Sequence, residues 1–245
     1  MKQKPDQSYD VPEDAPEKRT ADVVQKLAKI AASGLPGVGG LVVELIGLIQ
    51  PSVDRRTVDW LEDLAHELNR VRERIKNQED RDFFEEIFNN ERFITTFIQA
   101  SRSAIRTHQA EKREALRNAV LNSALRNEPD EDLQAIFLEL IDRFTPWHLR
   151  ILKYFDDPEG WLKRDSRDHR LPSMDGAGQV LEDAYPELRG EKEFYGLLVA
   201  DMAAAGLMQG GFLGTTMTVQ GIIARRTTNI GCHFLKFISA PIEEE

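Results

Sequence analysis

Apolar residues recur along most of the chain at spacings of three and four residues, which is the period of an amphipathic α-helix. Runs of this kind extend from residue 21 to residue 238. The most regular run covers residues 133–144, and the longest covers residues 61–75. Each run predicts a helix that turns one apolar face towards a core. The pattern therefore predicts a mainly α-helical fold.

Helix-ending and helix-starting residues divide this pattern. Residues 1–20 are polar and contain Pro5, Pro12 and Pro16, which predicts a disordered tail. Asn90 is a predicted N-cap, and Thr145 with Pro146 predicts a helix restart, because threonine favours the cap and proline the first helical position. We predict a helical bundle over 21–144, a second domain over 145–240 and an acidic tail over 241–245.

The second predicted domain changes character near its end. Gly210, Gly211 and Gly214 interrupt a run rich in Thr, Val and Ile, which predicts a β-hairpin within 207–226. In chain order the predicted elements are a helix to about 155, a polar loop over 156–172, a short helix over 178–185, a helix over 191–205, the hairpin, and a final helix over 228–238. This order is typical of a winged helix-turn-helix. We therefore predict a winged-helix-like α+β domain with a small β-hairpin.

The final helix carries the pattern T-x-x-G-x-x-F-L-x-F, formed by Thr228, Gly231, Phe234, Leu235 and Phe237. Its apolar residues Ile230, Phe234, Leu235 and Phe237 or Ile238 are predicted to be buried.

This ending resembles that of many bacterial winged-helix units. A Gly-rich apolar segment, helices around residues 107–112 and then this unit make up an arrangement that resembles bacterial proteins of the abortive-infection alpha type over most of the chain after residue 20. The resemblance implies an architecture and a role in phage defence, and it transfers no functional residues.

Charge narrows the choice of partner. The chain has a formal net charge of −10, and residues 145–240 carry 11 Lys and Arg against 12 Asp and Glu. A recognition helix normally presents Arg, Lys, Asn or Gln to base edges, whereas the helix over 191–205 begins with Glu191 and Glu193. These features disfavour nucleic acid and favour a protein partner or a homo-oligomer. The candidate wing contacts are Arg225 and Arg226.

One apolar segment supports a membrane alternative. Residues 35–49 are interrupted by a single charge, Glu44, and are too short to cross a bilayer alone, which takes about 20 apolar residues. They either pack in a core or, with the rest of residues 21–50, associate with a membrane on activation. The candidate residues for a membrane or partner contact are Leu35, Val38, Leu41, Val42, Val43, Leu45, Ile46, Leu48 and Ile49.

Residue types that carry chemistry are sparse. The five histidines show no metal-ligand spacing, and His148 and His233 adjoin apolar residues, which predicts that they cover a core. The single cysteine, Cys232, and the absence of an apolar leader favour a cytoplasmic protein. We predict no catalytic site, no cofactor, no metal and no small-molecule substrate.

Taken together, the sequence favours a non-enzymatic bacterial protein that acts through protein contacts in phage defence. Two alternatives stay open. One is a membrane-active effector that uses residues 21–50, and the other is a DNA-binding regulator that uses the winged helix.

Overall fold

The computed structural model describes residues 55–76, 78–125, 129–164 and 174–241. The candidate segment 35–49, the predicted tail over 1–20 and residues 242–245 lie outside the described residues. The described residues are mainly helical, which confirms the predicted fold class at that level. The helices are α1 Arg55–Arg74, α2 Gln78–Glu86, α3 Glu91–Arg106, α4 Ala110–Ser123, α5 Glu131–Arg143, α6 Pro146–Asp156, α7 Pro158–Arg164, α8 Ala177–Ala184, α9 Lys192–Ala204, α10 Val219–Ile222 and α11 Asn229–Ile238.

Two short 3₁₀ helices, Ile87–Asn89 and Pro186–Leu188, join α2 to α3 and α8 to α9. Helix α7 occupies part of the predicted polar loop, where Asp157 accepts a hydrogen bond from the Gly160 amide at 2.9 Å. Among the described helices, none combines the length and the hydropathy that crossing a bilayer requires.

The β-structure differs from the predicted hairpin. Strand β1, Met174–Gly176, pairs antiparallel with β2, Thr216–Thr218. Within 207–226, all of which is described, no two strands pair with each other, and Met208 forms an isolated bridge with Thr227. The predicted hairpin is therefore not confirmed. Glycines mark the turns of this stretch, as Gly211 with φ +77° shows, but turn residues do not specify which strand the next one will join.

The chain forms two compact units that divide between Ile105 and Arg106. In the first unit, the buried Trp60 of α1 donates a hydrogen bond from Nε1 to Ser101 Oγ of α3 at 3.0 Å. Phe84, Phe88 and Phe93 stack edge to face, with ring centroids 5.4–5.5 Å apart. The predicted cap at Asn90 is confirmed, since its Oδ1 accepts the amide of Arg92 at 2.9 Å.

In the second unit, helix α5 packs against the last helix of the chain. The buried ring of Phe137 lies 5.3 Å from that of Phe234 and 5.7 Å from that of Phe237, centroid to centroid. Helix α4 also lies against α11. Both α4 and α5 had been assigned to the N-terminal bundle by the predicted boundary at 144/145, whereas the compact unit that contains them runs from Arg106 to the end of the chain.

The structure explains the Thr-Gly pattern at the start of α11. Thr228 Oγ1 accepts the Gly231 amide at 3.0 Å, so Thr228 is the N-cap. The Thr228 amide donates to the Leu207 carbonyl at 2.9 Å. A Cβ placed on Gly231 would overlap that same carbonyl oxygen, so only glycine allows the helix to start this close to Leu207.

The predicted buried face of α11 is confirmed for Phe234, Leu235, Phe237 and Ile238 and wrong for Ile230. Ile230 is 44% exposed in the first turn, and burial begins one residue later. His233 is exposed as well, against the prediction that it covers a core, whereas the same prediction for His148 is confirmed. Periodicity predicts which face is apolar, but not how far along the helix its neighbours extend.

Two adjacent residues of α5 provide a matched test of this core. Phe137 is fully buried and Ile136 is 49% exposed. Phe137→Ala should lower the free energy of unfolding by about 3–5 kcal/mol because it removes a buried aromatic ring and leaves a cavity. Ile136→Ala should change it by less than about 1 kcal/mol. Urea denaturation followed by circular dichroism measures both, and equal losses would show that the α5 face is misassigned.

Gly231→Ala tests the close approach of α11 to Leu207. We expect a loss of about 3 kcal/mol in unfolding free energy, because the added methyl group must displace a backbone carbonyl. Gly214 is the control, since a Cβ there would meet nothing within 4 Å, and Gly214→Ala should stay within about 0.5 kcal/mol of the parent protein. A Gly231→Ala protein as stable as the control would contradict this account of the motif.

Candidate interaction surface on helix α9

Helix α9 has one face in the core of the second unit. Tyr195, Leu198, Val199 and Met202 are buried. The helix ends at Ala204, and Gly206 two residues later has a φ of +75°, a left-handed conformation that suits glycine after a helix end. The Tyr195 hydroxyl donates to Glu182 Oε1 of α8 at 2.9 Å, which ties the start of α9 to the neighbouring helix.

The opposite face of α9 is apolar and exposed. Leu197 is 66% exposed and Phe194 is 38% exposed. Ala200 and Ala204 are also exposed and follow Leu197 at helical spacing, so they lie on the same side. We call the surface formed by Phe194, Leu197, Ala200 and Ala204 the α9 face. A helix with apolar residues on both faces is ordinarily buried, so the exposure of the α9 face is unusual.

Charged residues border the α9 face. Glu191 and Glu193 are exposed at the start of the helix, where negative charge interacts favourably with the helix dipole. Lys192 is the one cationic residue of α9. Asp201 lies beside the face, 3.7 Å from Arg143 Nη2 through its Oδ1.

Beneath Asp201 lies the buried imidazole of His148. Its ring stacks on Phe144 with centroids 4.5 Å apart, and its Nδ1 accepts the Thr145 amide at 3.1 Å. This contact confirms the helix restart predicted at Thr145 and Pro146. His148 Nε2 lies 3.4 Å from Asp201 Oδ2, without the alignment of a good hydrogen bond. Because Nδ1 accepts a hydrogen bond from the Thr145 amide, the single proton of the neutral ring is on Nε2, the nitrogen nearest Asp201.

Burial lowers the pKa of His148, and the charges of Arg143 and Lys112 act in the same direction. The Asp201 carboxylate opposes this shift without overcoming it. His148 is therefore neutral at pH 7 in the folded protein.

The two candidate wing contacts are engaged inside the unit. Arg225 Nε donates to the Asp156 backbone carbonyl at 3.1 Å and lies 3.3 Å from its carboxylate. Arg226 lies over the ring of Phe212, 5.1 Å from its centroid, and donates to the Gly221 carbonyl. Whether either arginine also contacts a partner stays a prediction.

Asp156 also joins the end of α6 to the start of α11. Its Oδ1 accepts the Thr227 hydroxyl at 2.5 Å and lies 3.5 Å from Cys232 Sγ. These contacts give Cys232 a place in the packing between two helices. Within the described ranges, His, Cys, Asp and Glu do not gather in a group of three that could hold a metal ion.

Phe194 and Leu197 are not among the contact residues predicted from the sequence. The signal for them in the sequence is the run 194–205, which is apolar except for Gly196 and Asp201. Such a run has more apolar residues than one buried face of a helix can hold. Comparison with protein-family models, curated proteins and solved structures finds no match. The function is therefore inferred from the geometry of the chain itself.

The lowered pKa of His148 makes stability depend on pH. The unfolded state binds the proton more readily, so the contribution of His148 is complete above its unfolded pKa of about 6.5 and is lost as the pH falls below that value. We expect the unfolding free energy to fall by at most about 1.4 kcal/mol per pH unit from this one group.

Denaturation of the parent protein, His148→Gln and His108→Gln at pH 7.5 and pH 5.5 isolates this effect. His108 is exposed, so its variant should keep the pH dependence of the parent protein, whereas His148→Gln should reduce it. An identical pH dependence in all three proteins would contradict the assignment to His148.

Proposed function

We propose that the chain is a non-enzymatic protein that acts through protein–protein contacts, and that the α9 face is its contact surface. The observation that carries this proposal is the exposure of Leu197 and Phe194 on a helix whose other face lies in the core. Burying a leucine or phenylalanine side chain is worth about 1.5–3 kcal/mol. Leu197 is 66% exposed and Phe194 38% exposed, so a partner that covers both gains part of this energy from each, and the two side chains would act as anchors within a larger set of contacts.

The order of elements supports a winged-helix-like relation for the second unit. Helix α6, strand β1, helices α8 and α9, and strand β2 come in the order of such domains, with the short helix α7 between α6 and β1 and with α9 in the position of the recognition helix. Fold alone does not decide what a recognition helix binds. Glu191 and Glu193 are exposed at the start of α9, and their negative charges repel phosphate groups. The α9 face is apolar, whereas a protein reads DNA bases mainly through hydrogen bonds. These features favour a protein over DNA.

The biological setting is proposed from the resemblance of residues 228–237 and the preceding chain to abortive-infection proteins. On that basis we propose a bacterial protein of phage defence. The alternative of a membrane-active effector rests on residues 21–50, which lie outside the described residues, and it stays a prediction.

Site-specific photo-cross-linking in bacterial cells tests the contact surface. A benzophenone amino acid is placed at position 197 of the full chain and, as a matched control, at the exposed position 179 of α8. We expect discrete cross-linked protein products from position 197 that disappear when Ala200→Glu places a charge in the α9 face.

Circular dichroism of the Ala200→Glu protein shows that it is folded, so that a lost product reports on the surface. Identical products from positions 197 and 179, or none from 197, would contradict the proposal. Submicromolar binding of the full chain to duplex DNA that weakens steeply with salt would instead favour the regulator alternative.

A further inference from the structure

We propose that the occupant of the α9 face is an amphipathic helix of a partner protein that carries Lys or Arg beside its apolar stripe. This inference rests on the proposed function and adds the chemical class of the partner. Three features of α9 lead to it: the size of the face, an open position at Gly196, and the charges at its border.

The size of the face fits a single helix. Helix α9 has 13 residues, so it is roughly 20 Å long, and a helix is about 10 Å wide. The footprint is thus on the order of 200 Å², whereas a stable interface between globular proteins buries about 800 Å² per partner. The α9 face alone is too small for a globular dimer and matches a helix laid along it.

Gly196 opens one side of the face. It lies inside α9 without a positive φ, and a Cβ added there would meet nothing within 4 Å. A glycine inside a helix costs about 0.5–1 kcal/mol relative to alanine, and no described contact within the unit requires one here. Gly196, Ala200 and Ala204 recur every four residues, so a ridge of partner side chains can approach the backbone along this line while Leu197 and Phe194 project beside it.

The charged residues at the border of the α9 face favour a partner of opposite charge. Glu191 and Glu193 stand exposed at one end of the face, where Lys192 is the only cation within α9, and Asp201 at its side lies 3.7 Å from Arg143. A second copy of this chain that docked through its own α9 face would bring the same acidic residues, Glu191 and Glu193, to the contact. A partner helix with Lys or Arg next to its apolar residues meets the same groups with opposite charge.

Two synthetic peptides test the inference. Both are 16-residue helices with the same leucine and alanine stripe, and the remaining positions carry Lys in one and Glu in the other. Fluorescence polarisation with the full chain should give at least tenfold tighter binding of the Lys peptide. Leu197→Ser should weaken that binding at least tenfold, because it removes the most exposed apolar side chain of the face.

Substitutions at Glu191 and Glu193 test the role of charge, and a substitution at Gly196 tests the open position. Replacing Glu191 and Glu193 by Lys should reverse the preference in favour of the Glu peptide, whereas Glu139→Lys, at an exposed position of α5, should leave it unchanged. Gly196→Ala should raise the midpoint of thermal unfolding and yet weaken the Lys peptide at least threefold, which a purely structural glycine would not do.

Equal affinity for the two peptides, binding of neither, or no effect of the Glu191 and Glu193 reversal overturns the inference. Analytical ultracentrifugation separates this outcome from failure of the proposed function. Self-association of the full chain that Leu197→Ser abolishes would make a second copy the occupant, so the α9 face would still be a protein-contact surface while the basic partner helix would be wrong. Both the inference and the proposed function would be wrong if the full chain showed no Leu197-dependent self-association, no peptide binding and no cross-links from position 197.

Discussion

The second unit depends on how its last helix is held at both ends. The final carbonyls of a helix have no partner inside it, and a buried carbonyl without one costs about 1–3 kcal/mol. At the end of α11, Asn122 Nδ2 lies 2.8–3.1 Å from the carbonyl oxygens of Lys236, Phe237 and Ser239, and Asn118 Nδ2 donates to that of Ile238 at 3.0 Å. Side chains of α4 thereby cap the C-terminal end of α11, although the two helices lie more than a hundred residues apart in the sequence. The opposite end is fixed by the Thr228 cap.

The elements that the sequence predicted well are those determined by neighbouring residues. Caps such as Asn90 and Thr145 act within three residues, so the local pattern contains the whole interaction. The domain boundary, by contrast, depends on which helices pack together, and Asn118 carries no sequence feature that ties it to Ile238. The same holds for β2, whose partner strand lies some forty residues earlier along the chain.

Helix α5 shows where periodicity itself falls short. The spacing of three and four residues predicts a buried stripe formed by Leu133, Ile136, Phe137, Leu140, Ile141 and Phe144. Ile136 is exposed, however, and Leu138, which lies outside that stripe, is buried. The interaction of Phe137 with α11 sets the rotation of this helix, and both neighbours of Phe137 are apolar, so the sequence alone leaves the centre of the buried face undetermined. The α9 face was missed for a related reason: a helix that is apolar on every side gives no indication of which side the core will take.

Some residues of helix α9 stabilise the fold, whereas others do not. Its buried side needs Tyr195 and Met202 for the core, and Gly196 makes the same helix weaker than alanine would. An alanine Cβ at position 196 would meet nothing within 4 Å, and Leu197 beside it is 66% exposed. The proposed contact surface would account for both features. Asp201 belongs to both sides, because it borders the α9 face and also lies against buried His148, so a partner that engages this carboxylate also changes the surroundings of the imidazole.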